Sequence, residues 1–144
     1  MDYREYDVIA DVYSGIALPS EDKYKVMIKL ADYELVTENP LFAQKHYNRW
    51  NCRFRQSTYK APYLSAAGIG KVFVYLMQGS NPICYYSANI EEFLDNPNPP
   101  IRWVELKNDL SVGKVDDSHK AGVISFRLAI NERSKGKIFN FEEQ

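Results

Sequence analysis

Residues 24–30 read YKVMIKL, and apolar side chains occupy every second position of this stretch. The two alternating sets are Tyr24, Val26, Ile28, Leu30 and Lys25, Met27, Lys29. Side chains on a β-strand point alternately to opposite faces of its sheet. The pattern therefore predicts a half-buried strand with an apolar inner face and a cationic outer face.

The same alternation recurs along most of the chain. Further extended stretches are predicted at 8–13, 33–37, 50–55, 72–77, 83–90, 101–106 and 123–130. Turn-rich segments at 20–22, 78–82 and 95–100 separate them, and only residues 89–94 (NIEEFL) are typical of a helical turn. Many short strands with regular turns and almost no helix predict an all-β fold, an eight-stranded antiparallel β-sandwich.

Length and composition limit the class of protein. The 144 residues correspond to about one domain. We assign residues 1–133 to the sandwich and 134–144 to a polar C-terminal tail or the start of a linker. The net charge of −1 argues against nucleic acid as a partner, and the 14% aromatic content argues against a disordered chain.

Cysteine content and the N-terminal residues bear on the compartment. Cys52 and Cys84 are too few for a disulfide scaffold, so we expect two free thiols in a reducing compartment, with one bridge as the alternative. The start of the chain (MDYRE) is charged and lacks the apolar stretch of a secretory signal. These features predict a cytoplasmic protein or domain, either free or peripheral to a membrane or the cytoskeleton.

Seven stretches, taken in order, resemble the C2 domain family over about residues 6–131. They are the opening strand 8–19 (VIADVYSGIALP), the strand start 22–26 (DKYKV), the turn pieces 39–40 (NP) and 50–51 (WN), and the later strands 70–77 (GKVFVYLM), 101–106 (IRWVEL) and 122–130 (GVISFRLAI). Relative to the family pattern, Lys23 replaces a proline, and residues 41–49 are an insertion that splits the Asn-Pro-x-Trp-Asn turn. The resemblance implies a C2-like sandwich in its circularly permuted, type II form. An immunoglobulin-like sandwich is the alternative, although the Cys…Trp…Cys spacing of that family is absent.

The resemblance also implies where calcium would bind. C2 domains that bind calcium supply aspartates from their first and third loops, and calcium needs six to eight oxygen ligands. In this chain Glu21 and Asp22 remain in the first loop, whereas Leu76 and Gln78 stand at two carboxylate positions of the third. We therefore predict a calcium-independent domain without a metal or other cofactor.

A non-standard metal site is the alternative to this prediction. Residues 108–122 are expected to return to the same end of the sandwich and carry Asp116 and Asp117. Together with Asp22 these two carboxylates are weak candidate ligands, and a solvated acidic turn is the simpler interpretation.

The insertion at residues 41–49 is the leading candidate for binding a membrane or a protein partner. Leu41 and Phe42 form an apolar tip, and Lys45 and Arg49 form a basic collar. This arrangement is typical of shallow membrane insertion and of protein-interface hot spots.

A second candidate is a basic surface formed by Lys25, Lys29, Arg53 and Arg55. Basic faces of C2 domains often bind phosphoinositide head groups through hydrogen bonds to phosphate. Here the strand that usually carries the lysine cluster corresponds to residues 33–38 (YELVTE), which are acidic, and we expect the two sheets to separate the lysines from the arginines.

Catalysis is not predicted. His46 and His119 are the only histidines, and the sequence contains no Gly-x-Ser-x-Gly elbow. The first functional hypothesis is a non-catalytic, calcium-independent C2 module that acts as a protein-interaction or scaffolding domain of a larger protein. The alternative is calcium-independent binding to anionic phospholipid membranes through residues 41–49. We expect a monomer, with self-association through a sheet edge as a third hypothesis.

Overall fold

A computed structural model describes residues 3–19, 23–62, 70–108 and 122–135. The strands in these ranges are β1 (Tyr3–Ile16), β2 (Lys25–Leu30), β3 (Tyr33–Val36), β4 (Phe42–Gln44), β5 (Tyr47–Arg53), β6 (Ser57–Pro62), β7 (Lys71–Gln78), β8 (Asn81–Asn89), β9 (Arg102–Glu105), β10 (Lys107–Asn108) and β11 (Val123–Glu132). Two short 3₁₀ turns, Ile90–Phe93 and Arg133–Lys135, are the helical elements of this part of the chain.

The strands form two antiparallel sheets. Sheet 1 has the order β4-β5-β1-β11-β9, and β6 pairs with the first half of β1. Sheet 2 has the order β10-β8-β7-β2-β3. The first and last strands lie side by side, in register from Tyr6 opposite Glu132 to Ile16 opposite Val123. The predicted all-β sandwich is confirmed, and the assignment to the permuted form of the C2 fold stays a prediction.

The core lies between the inner faces of the two sheets. The alternation identified in the sequence accounts for it, since Val26, Ile28 and Leu30 of β2 are all completely buried. The largest fully buried side chains include Tyr6, Tyr24, Leu30, Phe93, Phe126 and Leu128. Cys52 is half-buried and Cys84 buried, and both are free thiols.

All eight predicted strands are present, and the described residues contain three more. These are β4, β6 and β10, which span three, six and two residues. Two of them are too short to show a periodicity, and β6 (STYKAP) alternates only weakly. The predicted helical turn at 89–94 corresponds to the 3₁₀ turn Ile90–Phe93.

Two tyrosines, one from each sheet, are in contact with each other. The rings of Tyr33 on β3 and Tyr59 on β6 stack with centroids 4.8 Å apart. The Tyr33 hydroxyl donates a hydrogen bond to the Ser57 Oγ, and the Tyr59 hydroxyl donates one to Asp32. Burial, followed by the hydrogen bond to Asp32 and the charge of that carboxylate, raises the pKa of Tyr59 to about 12.

Candidate interaction surface

Residues 41–49 form the first part of the candidate site, and the insertion there consists of strand segments rather than a loop. β4 and β5 make an antiparallel hairpin in which Phe42 is paired with Arg49 and Gln44 with Tyr47. The turn is closed by Lys45 and His46, and His46 takes a left-handed conformation with φ of 59°. A histidine in this conformation is uncommon, and such turns usually carry a glycine. Residues 44–47 contain no glycine, so nothing in the sequence marked the turn.

Buried hydrogen bonds hold the base of this hairpin against sheet 2. The side-chain Oδ1 of Asn48 accepts a hydrogen bond from the backbone N–H of Tyr24 at 2.8 Å. Next to it, the indole Nε1 of Trp50 donates to the carbonyl of Tyr24 at 2.9 Å. Because Asn48 and Trp50 are both buried, these bonds fix the hairpin rigidly on the core.

The tip of the hairpin contacts the segment that follows β1. The Leu18 N–H donates to the His46 carbonyl at 3.0 Å, and the ring Nδ1 of His46 lies 2.5 Å from the Leu18 carbonyl oxygen. The tip of the insertion therefore contacts Leu18. Asp22 of the first loop lies outside the described residues.

Apolar side chains project from the outer face of the hairpin. Leu41 is 74% exposed and Phe42 42% exposed. The Phe42 ring lies 6.0 Å from that of Tyr47, and the Arg49 guanidinium lies 5.4 Å from the Phe42 ring centroid. Ile16 is 41% exposed. It directly follows Gly15, which pairs with Asn48, so it extends this face. We call Ile16, Leu41, Phe42, Tyr47 and Arg49 the hairpin surface, with the exposed Lys45 at its tip.

An exposed tryptophan lies at the other edge of the same sheet. The register places five residues in one row across sheet 1, namely Phe42, Arg49, Ser14, Ser125 and Trp103. Four strand spacings separate the two aromatic ends by about 19 Å. Trp103 is 62% exposed. Trp103 is not among the predicted binding residues, although alternation with the inward Val104 already indicated an outward side chain.

The second basic surface is not a single patch. Lys25 and Lys29 lie on β2 of sheet 2, whereas Arg53 lies on β5 of sheet 1 and Arg55 follows that strand. The two pairs are thus separated, as expected.

Arg53, one of the predicted basic-surface residues, makes an ion pair on the outer face of sheet 1. Its Nε and Nη2 donate to the two carboxylate oxygens of Asp11 at 2.7 and 2.9 Å. Asp11 is only 3% exposed. This bidentate ion pair gives Arg53 a structural role on the outer face of sheet 1.

The turn that corresponds to the third calcium loop is short. Gln78 pairs with Asn81 across a two-residue turn, and Gly79 has a φ of 61°. Neither Gly79 nor Ser80 carries a carboxylate. Leu76 is completely buried, so its side chain points into the core rather than toward this turn.

The weak metal candidates Asp116 and Asp117, like Asp22, lie outside the described residues. Within the ranges that the structure describes, no group of three or more histidines, cysteines or acidic residues is arranged to hold a metal ion. Those ranges also hold no helix of the length and apolar character needed to cross a bilayer.

Comparison with known proteins shows the fold and no sequence relative. No family model matches the chain. A search of curated proteins found no match. Among solved structures, Extended-Synaptotagmin 2, with its SMP domain and two C2 domains, is similar with a TM-score of 0.61 and 11% identity, over 88% of this chain and 28% of that one. This chain therefore spans about a quarter of the length of that protein.

Two further structures agree with this result. A C2 domain-containing protein from a putative elicitor-responsive gene has a TM-score of 0.59 and 10% identity, over 90% of this chain and 91% of that one. The calcium-bound pair of C2 domains of Extended-Synaptotagmin 2 gives a TM-score of 0.55 and 12% identity, over 88% of this chain and 42% of that one. The chain therefore has a C2-domain-like fold.

Proposed function

We propose that this C2-like sandwich is a non-catalytic, calcium-independent module that binds another protein through its hairpin surface, as an interaction or scaffolding domain of a larger protein. The observation that carries the proposal is the exposure of Leu41 and Phe42 on a hairpin that buried hydrogen bonds hold in place. A preformed apolar surface loses little conformational entropy when a partner binds it.

The position of Trp103 favours a protein over a membrane as the partner. Trp103 and Phe42 stand at opposite ends of one row across the face of sheet 1. Tryptophan and arginine are enriched in protein-interface hot spots. A membrane-inserting surface would instead concentrate its apolar side chains at one tip.

Calcium independence is supported by the turn at Gly79 and Ser80. Calcium needs several carboxylate oxygens at about 2.3–2.6 Å. This turn supplies none, and the buried Leu76 occupies one of the two positions at which the family places a carboxylate. The first loop alone would leave most of the coordination shell of the ion unfilled.

The test begins with the immobilised chain in a cell extract that contains a calcium chelator. The captured protein is identified, purified and titrated against the wild-type chain and a Leu41→Ser, Phe42→Ser double variant. We expect the double variant to weaken binding by about tenfold or more, because two central apolar contacts are lost. Affinity should be the same with calcium and with chelator.

The matched control is Tyr3→Ser, which removes an exposed aromatic side chain, 53% accessible, from the opposite end of β1. Equal weakening in the control, or full binding by the hairpin variant, would contradict the proposal. The same variants are mixed with phosphatidylserine-rich vesicles. Sedimentation with vesicles that is lost only in the hairpin variant would replace the protein-binding proposal with the membrane alternative.

A further inference from the structure

The row of five residues across the outer face of sheet 1, from Phe42 to Trp103, carries a hydrogen-bond donor at each end. The Arg49 guanidinium contacts the Phe42 ring, and in the described part of the chain it makes no hydrogen bond or ion pair. At the other end the indole N–H of Trp103 donates to no described residue. The buried Trp50, in contrast, donates to the Tyr24 carbonyl. Both ends of the row can therefore donate to a ligand.

The middle of the row consists of two small side chains that are bonded to each other. The Ser125 Oγ accepts a hydrogen bond from the Ser14 N–H at 3.2 Å, and the two hydroxyl oxygens also lie 3.2 Å apart. None of the five residues of the row carries a carboxylate. The row thus offers donors and few acceptors, so it fits a chain segment that has free carbonyl groups and few N–H groups.

Proline-rich segments have these backbone groups. Proline lacks a backbone N–H, and the polyproline II helix leaves its carbonyl groups without internal hydrogen bonds. An extended segment of other residues would bring N–H groups for which this row supplies few acceptors. The aromatic rings at the two ends supply the apolar contacts on which recognition of proline-rich segments depends.

The distance between the two rings fits the same ligand. Four strand spacings separate Phe42 from Trp103 by about 19 Å. Polyproline II has about three residues per turn and rises about 3.1 Å per residue, so residues i, i+3 and i+6 lie on one face and span about 19 Å. The first and last of these prolines can contact one ring each. The segment between them crosses the two serines, whose small side chains leave room for it.

The Phe42 end of the row is cationic. Arg49 lies beside the ring, and the exposed Lys45 lies at the tip of the same hairpin. Residues 41–62 contain no aspartate or glutamate. An acidic residue next to the prolines is therefore attracted to this end of the row, which adds charge complementarity to the apolar contacts.

We propose that the row from Phe42 to Trp103 binds a proline-rich segment of the partner protein in the polyproline II conformation, with an acidic residue beside the prolines at the Phe42 end. The inference rests on the proposed function, because it names the segment of the partner that the same surface recognises.

The experiment titrates the full chain, labelled with ¹⁵N, with a synthetic peptide of seven prolines followed by two glutamates and blocked at both ends. We expect the largest change at the indole N–H signal of Trp103, whereas the signal of the buried Trp50 stays in place. A peptide of three prolines followed by the same glutamates reaches one ring only, so it should bind about tenfold more weakly. A peptide with alanine in place of every proline should lose at least as much affinity.

Variants of the chain test each end of the row. Trp103→Ser and Phe42→Ser should each weaken binding of the seven-proline peptide by about tenfold. Trp103→Phe keeps a ring and removes the donor, so it should weaken binding less than Trp103→Ser. The matched control is Tyr3→Ser, which removes an exposed aromatic side chain from the opposite end of β1 and should leave the affinity within about twofold.

The proposal is overturned if the Trp103 signal does not move, if the alanine peptide binds as well, or if Tyr3→Ser weakens binding as much as Trp103→Ser. If the peptides fail while the protein captured from the extract still depends on Leu41 and Phe42, this inference is wrong and the proposed function stands. Full binding of the captured protein by the hairpin variant, with peptide binding to the row intact, would contradict the proposed function instead.

Discussion

Asn48 and Tyr24 join the two sheets through a buried hydrogen bond of 2.8 Å between the side-chain Oδ1 and the backbone N–H. The amide Nδ2 of Asn48 also donates to the Tyr47 carbonyl at 2.8 Å. A single asparagine thus satisfies a donor directly before β2 of sheet 2 and an acceptor of its own hairpin. These hydrogen bonds hold the hairpin of residues 41–49 in a fixed position on the core.

Replacement of Asn48 by alanine should destabilise the fold. It leaves the buried N–H of Tyr24 without its acceptor, which costs about 1–3 kcal/mol of the free energy of unfolding. Urea unfolding followed by tryptophan fluorescence measures this difference. Gln44→Ala, on the exposed strand β4 of the same hairpin, should change stability by less than about 0.5 kcal/mol. Equal stability of the two variants would show that the connection is dispensable.

Asp11→Asn should also lower stability, because it removes the negative charge that the Arg53 guanidinium contacts twice. Asp11 is also paired in register with Arg127, which is buried, so the loss leaves a buried cation with less compensation. We expect a cost of about 2–4 kcal/mol in thermal or urea unfolding. Glu34→Gln, which breaks the exposed pair with Lys29, should cost less than about 1 kcal/mol. A smaller loss for Asp11→Asn than for Glu34→Gln would refute the structural role of the Arg53 pair.

Stability should fall as the pH rises from about 10 to about 12, in part because of Tyr59. The pKa of Tyr59 is raised to about 12 in the folded protein, whereas tyrosine in an unfolded chain titrates near 10. Between these values the folded state retains a proton that the unfolded state has released, so higher pH favours unfolding. The contribution is complete below the unfolded pKa and is lost as pH rises through the folded pKa.

Absorbance at the tyrosinate band measures this titration directly. The Tyr59→Phe variant should lack one tyrosine that ionises near pH 12. The free energy of unfolding of this variant should fall less steeply over this pH range. Asp32→Asn should lower the pKa of Tyr59, because it removes the carboxylate charge that disfavours the tyrosinate. An unchanged titration in both variants would contradict the described contact between Tyr59 and Asp32.

Much of the fold could be predicted because period-two alternation is a local property of the chain. The stretch 24–30 shows it clearly, and its inner residues Val26, Ile28 and Leu30 are all buried. β4 escaped detection because three residues cannot display a period. The turn at His46 also escaped, since its left-handed backbone is imposed by the bonds to Leu18 rather than by a glycine.

The candidate site was harder to predict because it depends on cross-strand register. Arg53 was placed on a basic surface, yet nothing local indicated that the buried Asp11 stands opposite it. Likewise, Phe42 was selected from its apolar neighbourhood, whereas the position of Trp103 in the same row becomes visible only once four strand pairings are known. No pattern in the sequence marked Asn48 of the insertion as buried, and its burial is a consequence of packing between the sheets.

Thermal unfolding can be followed by calorimetry with calcium in large excess and again with chelator. This comparison tests the central claim that the domain does not bind calcium. A ligand that binds only the folded state at about 100 times its Kd stabilises it by about 2.7 kcal/mol, which raises Tm by several degrees. We predict the same Tm in both conditions. A Tm that rises with millimolar calcium and returns to its first value with chelator would contradict the account.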